Sequence, residues 1–389
     1  MKRNITSAGM PFRPAAGFAL LAAIAVLSGC MKNNTPKALK DFNQVNLVSN
    51  SSAFSPAHNV AALQNAWGLA FSSGGTAWVN AEAGHISALY DKEGVTVRTP
   101  VNIPSPTDTI GGSPTGIVFS GSATDFMLTN GQPARFIFVG DDGVLSAWNG
   151  AAGNNALRIK NNSATAVYTG LTLAANGGAN FLYATDFKTG KIVVWDKTFA
   201  PVSMTFKDPT LPAGYSPFNI QVIGSWLYVM YAKVGPDGDE VHALGDGFVS
   251  IFTTAGAFVK RLASKGTLNA PWGVASAPAS FFADTDGDKD DKNGKGNNDD
   301  DISKFMKTSN APQSLILVGN FGDGRINAYT PDGTFAGQLR SHGRTMVIDG
   351  LWALMFPPAT ATTIDPNRLY FTAGPDDEKN GLFGYIIKE

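Results

Sequence analysis

The sequence is poor in the residue types on which many functional classes depend. Its 389 residues include one cysteine and four histidines, only 16% are charged, and the formal net charge is −1. One cysteine cannot form an intramolecular disulfide, so the fold must be stabilised by packing. The balanced charge gives no basic surface for nucleic acid and no overall acidic surface for a cationic macromolecule. We therefore expect no nucleic-acid partner.

Signatures of catalysis are also scarce. The histidines at 58, 85, 242 and 342 are scattered along the chain, and no glycine-rich phosphate loop precedes a predicted helix. The sequence has no local pattern of the Ser/His/Asp kind. An enzyme is therefore the less favoured class, and no catalytic residue is assigned.

The single cysteine follows an N-terminal segment with the features of an export signal. Lys2 and Arg3 precede an apolar run at 15–27, which is shorter than the roughly 20 residues of a membrane span. The letters "LSGC" at 27–30 resemble the bacterial lipobox, whose cysteine is lipidated. An ordinary signal peptide with a chance cysteine is the alternative.

This pattern predicts how the chain is divided and where it is located. We expect a lipoprotein signal peptide at 1–29, the lipidated Cys30 with a tether at 30–41, and a folded domain at 42–389. Multiple acyl chains hold a protein stably on a bilayer. The expected location is the bacterial cell envelope, and by resemblance to lipoprotein sorting rules Met31 favours the outer membrane.

Turn residues are abundant, with 43 glycines and 22 prolines. Short apolar runs between such residues are typical of all-β structure. One run, which we name strand A, recurs about every 50 residues, a spacing typical of propeller blades once an acidic insertion at 283–308 is set aside. Its copies are "NAWGLAF" (65–71), "SPTGIVF" (113–119), "VYTGLTL" (167–173), "SPFNIQV" (216–222), "APWGVAS" (270–276) and "GLWALMF" (350–356).

Each strand A precedes an apolar strand B, a tight turn and a strand C. A small residue at the centre of strand A avoids crowding near the propeller axis. The turns are predicted to end in glycines with positive φ. These glycines are Gly143, Gly190, Gly247, Gly324 and Gly381.

The copies of strand A predict the complete architecture. The chain is an all-β, six-bladed β-propeller whose last blade lacks an outer strand. The strand-like run at 42–50 is expected to pair outside the last strand C and so close the ring. Closure matters because an open ring leaves two sheet edges unpaired.

Several linked motifs also resemble a known family. "NAWGLAF", "VGNFGDGRINAY", "IDGLWAL", "YFTAGPDDE" and "GLFG" are similar to an uncharacterised family of secreted bacterial six-bladed propeller proteins. The resemblance covers roughly 45–389 and implies no assigned activity. The blades are more distantly similar to NHL-type and gluconolactonase-type propellers. The acidic insertion departs from the family pattern.

The loops that enter strand A and the turns between strands B and C should meet at one mouth of the central channel. An apolar concave mouth with a few polar groups is the usual form of a binding site. The alternative is that the tryptophans pack between blades and the carboxylates cap hairpins. The candidate ligand-binding residues are Asn65, Trp67, Thr115, Asp141, Asp186, Trp272, Asn320, Asp323, Arg325, Trp352 and Asp376.

The sequence thus predicts a monomeric binding or scaffold module for a glycan, a peptide or an envelope protein. The competing hypothesis is a divalent-metal-dependent hydrolase or lyase that uses the channel. Such an enzyme needs three or four oxygen ligands converging on one ion. Near the A strands, Asn65, Asn219 and Asp349 are the plausible oxygen donors, and no glutamate accompanies them.

The acidic insertion contains "DTDGDKDDKNGKGNNDDD" at 284–301. Its alternating aspartates are typical of calcium loops. Lys289 and Lys295 stand where an EF-hand requires glycine and glutamate, so the match is incomplete. A solvated charge run is the other interpretation. The candidate calcium ligands are Asp284, Asp286, Asp288 and Asp290.

Overall fold

A computed structural model of the protein describes residues 36–283 and 314–389. The predicted signal peptide, Cys30 and the proposed calcium ligands Asp284, Asp286, Asp288 and Asp290 lie outside these residues and stay predictions. No helix within the described ranges is long and apolar enough to cross a membrane. Short 3₁₀ turns occur at Lys37–Leu39, Ser52–Phe54, Gly150–Ala152 and Ala279–Phe282.

Six antiparallel sheets follow one another along the chain as propeller blades. The first strands are β1 (Phe42–Ser49) and β2 (His58–Asn59), which belong to the last blade. Blade one contains β3 (Ala66–Phe71), β4 (Ala77–Ala81), β5 (Ile86–Tyr90) and β6 (Val101–Asn102). Blade two contains β7 (Pro114–Phe119), β8 (Phe136–Gly140), β9 (Val144–Trp148) and β10 (Leu157–Asn161). Blade three contains β11 (Tyr168–Asn176), β12 (Ala179–Asp186), β13 (Lys191–Asp196) and β14 (Pro201–Val202).

The second half of the chain repeats this order. Blade four contains β15 (Tyr215–Ile223), β16 (Trp226–Lys233), β17 (Gly247–Thr253) and β18 (Phe258–Ser264). Blade five contains β19 (Pro271–Ala277), β20 (Leu315–Asn320), β21 (Ile326–Tyr329) and β22 (Phe335–Gln338). A small hairpin of β23 (Arg340–Ser341) and β24 (Arg344–Thr345) leads to blade six, which contains β25 (Leu351–Met355), β26 (Leu369–Ala373) and β27 (Leu382–Lys388). The strands named A in the sequence are β3, β7, β11, β15, β19 and β25.

The N-terminal strand closes the ring, as predicted. β1 pairs antiparallel with β27, from Phe42 opposite Lys388 to Ser49 opposite Leu382. The Ser49 hydroxyl donates a hydrogen bond to the Gly381 carbonyl at 2.7 Å. β2 then pairs in parallel outside β1 and gives this blade a fifth strand. The first and last parts of the described chain are therefore joined in one sheet.

The small residues at the centres of the A strands are required by close packing at the axis. A Cβ atom on Gly68 would lie 2.1 Å from the Thr115 carbonyl oxygen of the next blade, and one on Gly170 would lie 2.1 Å from Oδ1 of Asn219. Such contacts lie well inside van der Waals distance. The predicted reason for glycine at these positions is confirmed.

Polar side chains on strand B tie neighbouring blades together. Asn80 donates to the Thr115 carbonyl at 3.0 Å, and Thr185 donates to the Phe218 carbonyl at 3.3 Å. Thr372 occupies the matching position of blade six and donates to the Trp67 carbonyl. These buried bonds satisfy carbonyls of A strands that face the axis.

The prediction for the turn glycines was right for three positions and wrong for two. Gly143, Gly190 and Gly324 have φ values of 76°, 70° and 67°. Gly247 instead begins β17 after a long loop, and Gly381 precedes β27; neither is among the glycines with positive φ. In blade one the left-handed residue of the hairpin is His85, with φ of 62°.

Candidate functional site

Stacked aromatic rings fill the axis at one mouth of the channel. The Trp352 indole is fully buried between Trp67, at 3.6 Å between ring centroids, and Phe321, at 3.7 Å. Trp272 and Phe218 contact the same indole, each with a centroid distance of 5.8 Å. We name these five rings the aromatic plug. It gives the mouth a rigid apolar floor.

Asn65 connects the plug to charged groups above it. Its Oδ1 accepts a 2.9 Å hydrogen bond from Nε1 of Trp352. Its Nδ2 donates to a carboxylate oxygen of Glu378 at 2.6 Å and of Glu82 at 3.1 Å. One buried amide thus fixes both the central indole and two carboxylates from adjacent blades.

In five of the six blades, the residue immediately after strand B occupies an equivalent position at the mouth. The strand registers make Glu82, Asp141, Phe187, Phe321 and Gly374 equivalent. The repeated backbone therefore presents carboxylates from blades one and two and phenyl rings from blades three and five.

Crowding of the carboxylates alters their proton affinity. Burial, together with the negative charges of Glu82 and Asp142, raises the pKa of Asp141 to about 8. Burial likewise raises the pKa of Glu378 to about 7, with a contribution from the charge of Glu240. These groups therefore form one coupled acidic field around the mouth.

A cavity of about 570 Å³ opens beside the plug. Trp67, Asp141, Phe187 and Tyr215 line it, together with Glu240 from the long loop of blade four. The volume lies within the range of roughly 300–1,000 Å³ that is usual for small-molecule sites. Aromatic walls and convergent carboxylates make it the strongest candidate site among the described residues.

Glu240 also engages a histidine at the edge of this cavity. Its carboxylate lies 3.2 Å from Nε2 of His242, and the imidazole packs edge-on against Phe321 at 5.0 Å. The hydrogen bond with Glu240 raises the pKa of His242. A partly exposed imidazole and a largely buried carboxylate of the same loop thus form a pair at the rim.

The structure divides the predicted site residues into two groups. Asn65, Trp67, Asp141, Trp272 and Trp352 come together at the mouth, where Trp272 donates from Nε1 to the Thr169 carbonyl at 3.0 Å. Trp67 and Asp141 line the cavity itself. The tryptophans also pack against one another, so the same residues both pack between blades and form part of the candidate site.

The other predicted residues make structural contacts within and between the blades. Thr115 donates to the Tyr168 carbonyl at 2.6 Å, and Asp186 accepts from the Thr189 hydroxyl at 2.6 Å to cap its hairpin. Four further residues bond within their own turns, and none of these six lines the cavity. These four are Asn320 and Asp323, which are joined by a hydrogen bond at 2.9 Å; Arg325, which donates to Asp323 at 3.4 Å; and Asp376, which accepts from Asn380 at 2.7 Å.

Two important acidic residues were missed by the sequence reasoning. Glu82 was available from an alignment of "NAE" (80–82) with "VGD" (139–141), which matches it to Asp141, but the blade-one turn lacks the terminal glycine used as the marker. Glu240 lies in the loop between β16 and β17, which has no counterpart of similar length in the other blades. No repeat signal marks such a residue.

The described residues do not form a metal site of the expected kind. Across 36–283 and 314–389, no group of three or more His, Cys, Asp or Glu residues is placed to hold a metal ion. Of the proposed oxygen donors, Asn219 donates to the Trp272 carbonyl at 2.9 Å, and Asp349 accepts from the backbone N–H of Asp376 at 2.9 Å. Both side chains thus serve packing between loops and blades.

Fold and site together define a six-bladed β-propeller with a ligand-sized cavity beside a plugged channel. The chain is 30% identical over 368 residues to uncharacterized protein R648 of Acanthamoeba polyphaga mimivirus. The aligned region spans 89% of this chain and 80% of that protein. The chain belongs to the family of that protein. It is also 34% identical over 232 residues to uncharacterized protein L690 of the same virus, across 57% of this chain and 52% of the relative. Membership of an uncharacterised propeller family is therefore confirmed, although these relatives are viral and not bacterial.

Other comparisons are more distant. No protein-family model matches the sequence. A streptogramin B lyase structure shares 13% identity over 89% of this chain and 96% of that one, with a TM-score of 0.48. A gluconolactonase from Xanthomonas campestris shares 11% identity over 83% of this chain and 86% of that one, with a TM-score of 0.43. With so few shared residues, nothing about the activity of this chain follows from them.

Proposed function

We propose that the protein is a non-enzymatic binding module whose ligand occupies the mouth cavity. The observation that carries this proposal is a cavity of about 570 Å³ bounded by Trp67, Phe187 and Tyr215 and by the carboxylates Asp141 and Glu240. Rigid aromatic walls supply contact area at little entropic cost, and a few polar groups orient a ligand. A glycan, a peptide or a segment of an envelope protein is the expected ligand.

Filling the cavity tests this proposal. Val234 is half-buried and lines the cavity, while its backbone N–H bonds the Gly214 carbonyl at 2.9 Å independently of the side chain. In a thermal-shift screen of envelope glycans and short peptides, we expect ligands that stabilise the wild type but not Val234→Trp. A ligand at a hundredfold excess over its Kd stabilises a protein by about 2.7 kcal/mol.

A matched substitution controls for the added tryptophan. Val259 is 42% exposed on β18, the outer strand of blade four, and does not line the cavity. Val259→Trp should retain every ligand-induced shift of the wild type. Equal shifts in all three proteins, or no shift with any compound, would show that this cavity is not the binding site.

We further propose that the protein is secreted as a monomer, held on a bacterial envelope membrane by a lipid on Cys30. The supporting observation is the "LSGC" sequence at 27–30 after an apolar run. Cys30→Ser should move the protein from the membrane fraction to the soluble fraction of a bacterial host, because the anchoring acyl chains are lost. Fractionation and detergent-phase partitioning measure this, and Ser28→Ala is the control. Unchanged partitioning of Cys30→Ser would contradict the anchor.

A further inference from the structure

The mouth cavity has an excess of negative charge. Asp141, Asp237, Asp239 and Glu240 line it, and Lys188 is the basic residue among its described lining residues. Lys188 is exposed and its ammonium makes a long 3.5 Å contact with the Ala164 carbonyl, so it does not pair with these carboxylates. A ligand that enters the cavity therefore meets a field that favours positive charge.

A second feature at the same place is an unsatisfied donor on a residue of the cavity wall. Trp67 lines the cavity and is only 6% exposed, yet its indole Nε1 has no hydrogen-bond partner among the described residues. A buried N–H without an acceptor costs free energy, so such donors are usually satisfied.

The walls of the cavity favour an organic ligand over a bare metal ion. Phe187 and Tyr215 line it between Asp141 of blade two and Glu240 of blade four. Aromatic faces attract organic ammonium groups, and their quadrupoles add to the attraction of carboxylates. The cavity is also far larger than an ion requires, and the described carboxylates do not converge as metal ligands.

We infer that the ligand is an organic cation, in which a protonated amine lies between Asp141 and Glu240 and an attached apolar group packs on Phe187 and Tyr215. This inference rests on the proposed function, because it assigns a chemical class to the ligand of the same cavity. The amine belongs to a lysine side chain or an amino sugar, which share this chemistry. The ligand displaces water from the carboxylates and fills the space beside Trp67.

Binding of such a cation should release protons. In the empty protein, Asp141 and Glu378 hold protons near neutral pH because their pKa values are raised to about 8 and about 7. An ammonium favours the ionised carboxylates, so the bound pKa values are lower and affinity rises between about pH 6 and about pH 9. The hydrogen bond with Glu240 raises the pKa of His242, and loss of the imidazolium charge as pH rises acts in the same direction. The other charged groups around the mouth are Glu82, His85, Asp142, Lys188, Asp237, Asp239 and Glu240.

Three probes of similar shape test the charge of the ligand. Calorimetric titrations use phenethylamine as the cation, 2-phenylethanol as the neutral analogue and 3-phenylpropionate as the anion. We expect the amine to bind about tenfold more tightly than the alcohol, and the anion to bind most weakly. Titrations in two buffers of different ionisation enthalpy should show proton release with the amine.

Variants locate the interaction. Glu240→Gln and Asp141→Asn should each weaken amine binding by about fivefold to tenfold and leave binding of the alcohol unchanged. Val234→Trp should remove binding of both compounds. Because Asp141 already holds a proton near neutral pH in the empty protein, Asp141→Asn should fold normally, which thermal unfolding checks. Nα-acetyl-lysine amide and glucosamine then show which source of the amine is preferred.

The outcomes separate this inference from the proposed function. Equal binding of amine and alcohol, with both lost in Val234→Trp, would retain the cavity as a binding site and overturn the cationic class. Calcium chloride that binds more tightly than the amine and competes with it would replace the organic cation by a metal. Binding unchanged in Val234→Trp would overturn both proposals, and no amine binding at about 10 mM would overturn the cationic class.

Discussion

Deletion of residues 42–50 is expected to prevent the chain from folding as a monomer. This segment contains β1, which covers the outer edge of β27 along the length of that strand. Phe42, Leu47 and Val48 of β1 are buried, and each contributes about 1.5–3 kcal/mol. Their sum, with the lost strand pairing, approaches the typical total stability of about 5–15 kcal/mol. Size-exclusion chromatography should show aggregates, because the exposed edge of β27 pairs with other chains.

A milder pair of substitutions separates closure from a general effect of altering β1. Val48 is fully buried, whereas Gln44 is exposed on the same strand. Val48→Asp should destabilise the protein by at least about 3 kcal/mol, because it places an unpaired charge in the core, and Gln44→Asp should change stability little. A synthetic peptide of residues 40–50 should restore monomers to the deleted chain. A monomeric deletion variant with wild-type thermal unfolding would refute closure by β1.

The second large effect is expected for Trp352→Ala. The substitution removes a fully buried indole from the aromatic plug, and a large-to-small change of this kind costs about 3–5 kcal/mol. It also leaves Oδ1 of Asn65 without the donor that now binds it at 2.9 Å. Asn65 positions Glu82 and Glu378, so we expect ligand binding at the mouth to weaken together with stability.

Chemical denaturation measures the stability change, and Trp226→Ala is the control. Trp226 begins β16 and is 42% exposed, so the same truncation there should cost less than about 1 kcal/mol. Calorimetry with the amine probe checks the mouth in both variants. Equal stability losses in the two variants, or unchanged binding in Trp352→Ala, would contradict the role assigned to the plug.

The architecture was predictable because the same physical requirement recurs in each blade. Gly68, Gly116, Gly170 and Gly273 all stand where a Cβ would strike the next A strand. A constraint repeated at regular spacing leaves a periodic trace in the sequence. The missing strand of blade six likewise predicted the pairing of β1 with β27, because the long strand C of that blade would otherwise be an exposed edge.

The candidate site was only partly predictable, because its function depends on how the blades differ. Asp141 and Trp67 were found at repeated positions, but Glu240 lies in a loop outside the repeat. Thr115 and Asp186 have the polarity of ligand-binding residues, yet their hydrogen bonds are used within the scaffold. Sequence position assigns a residue to the mouth, whereas only the hydrogen-bond partners show whether its polar atoms are available.

The aromatic plug also determines what cannot pass through the molecule. Directly beneath it, between the A strands, the space lined by Gly68, Gly116 and Leu354 is only about 20 Å³, close to the volume needed by one water molecule. Solutes therefore cannot permeate from one face of the propeller disc to the other along this part of the axis. A compound must enter and leave the mouth from the same side, and its exchange rate depends on the rim loops and not on the channel.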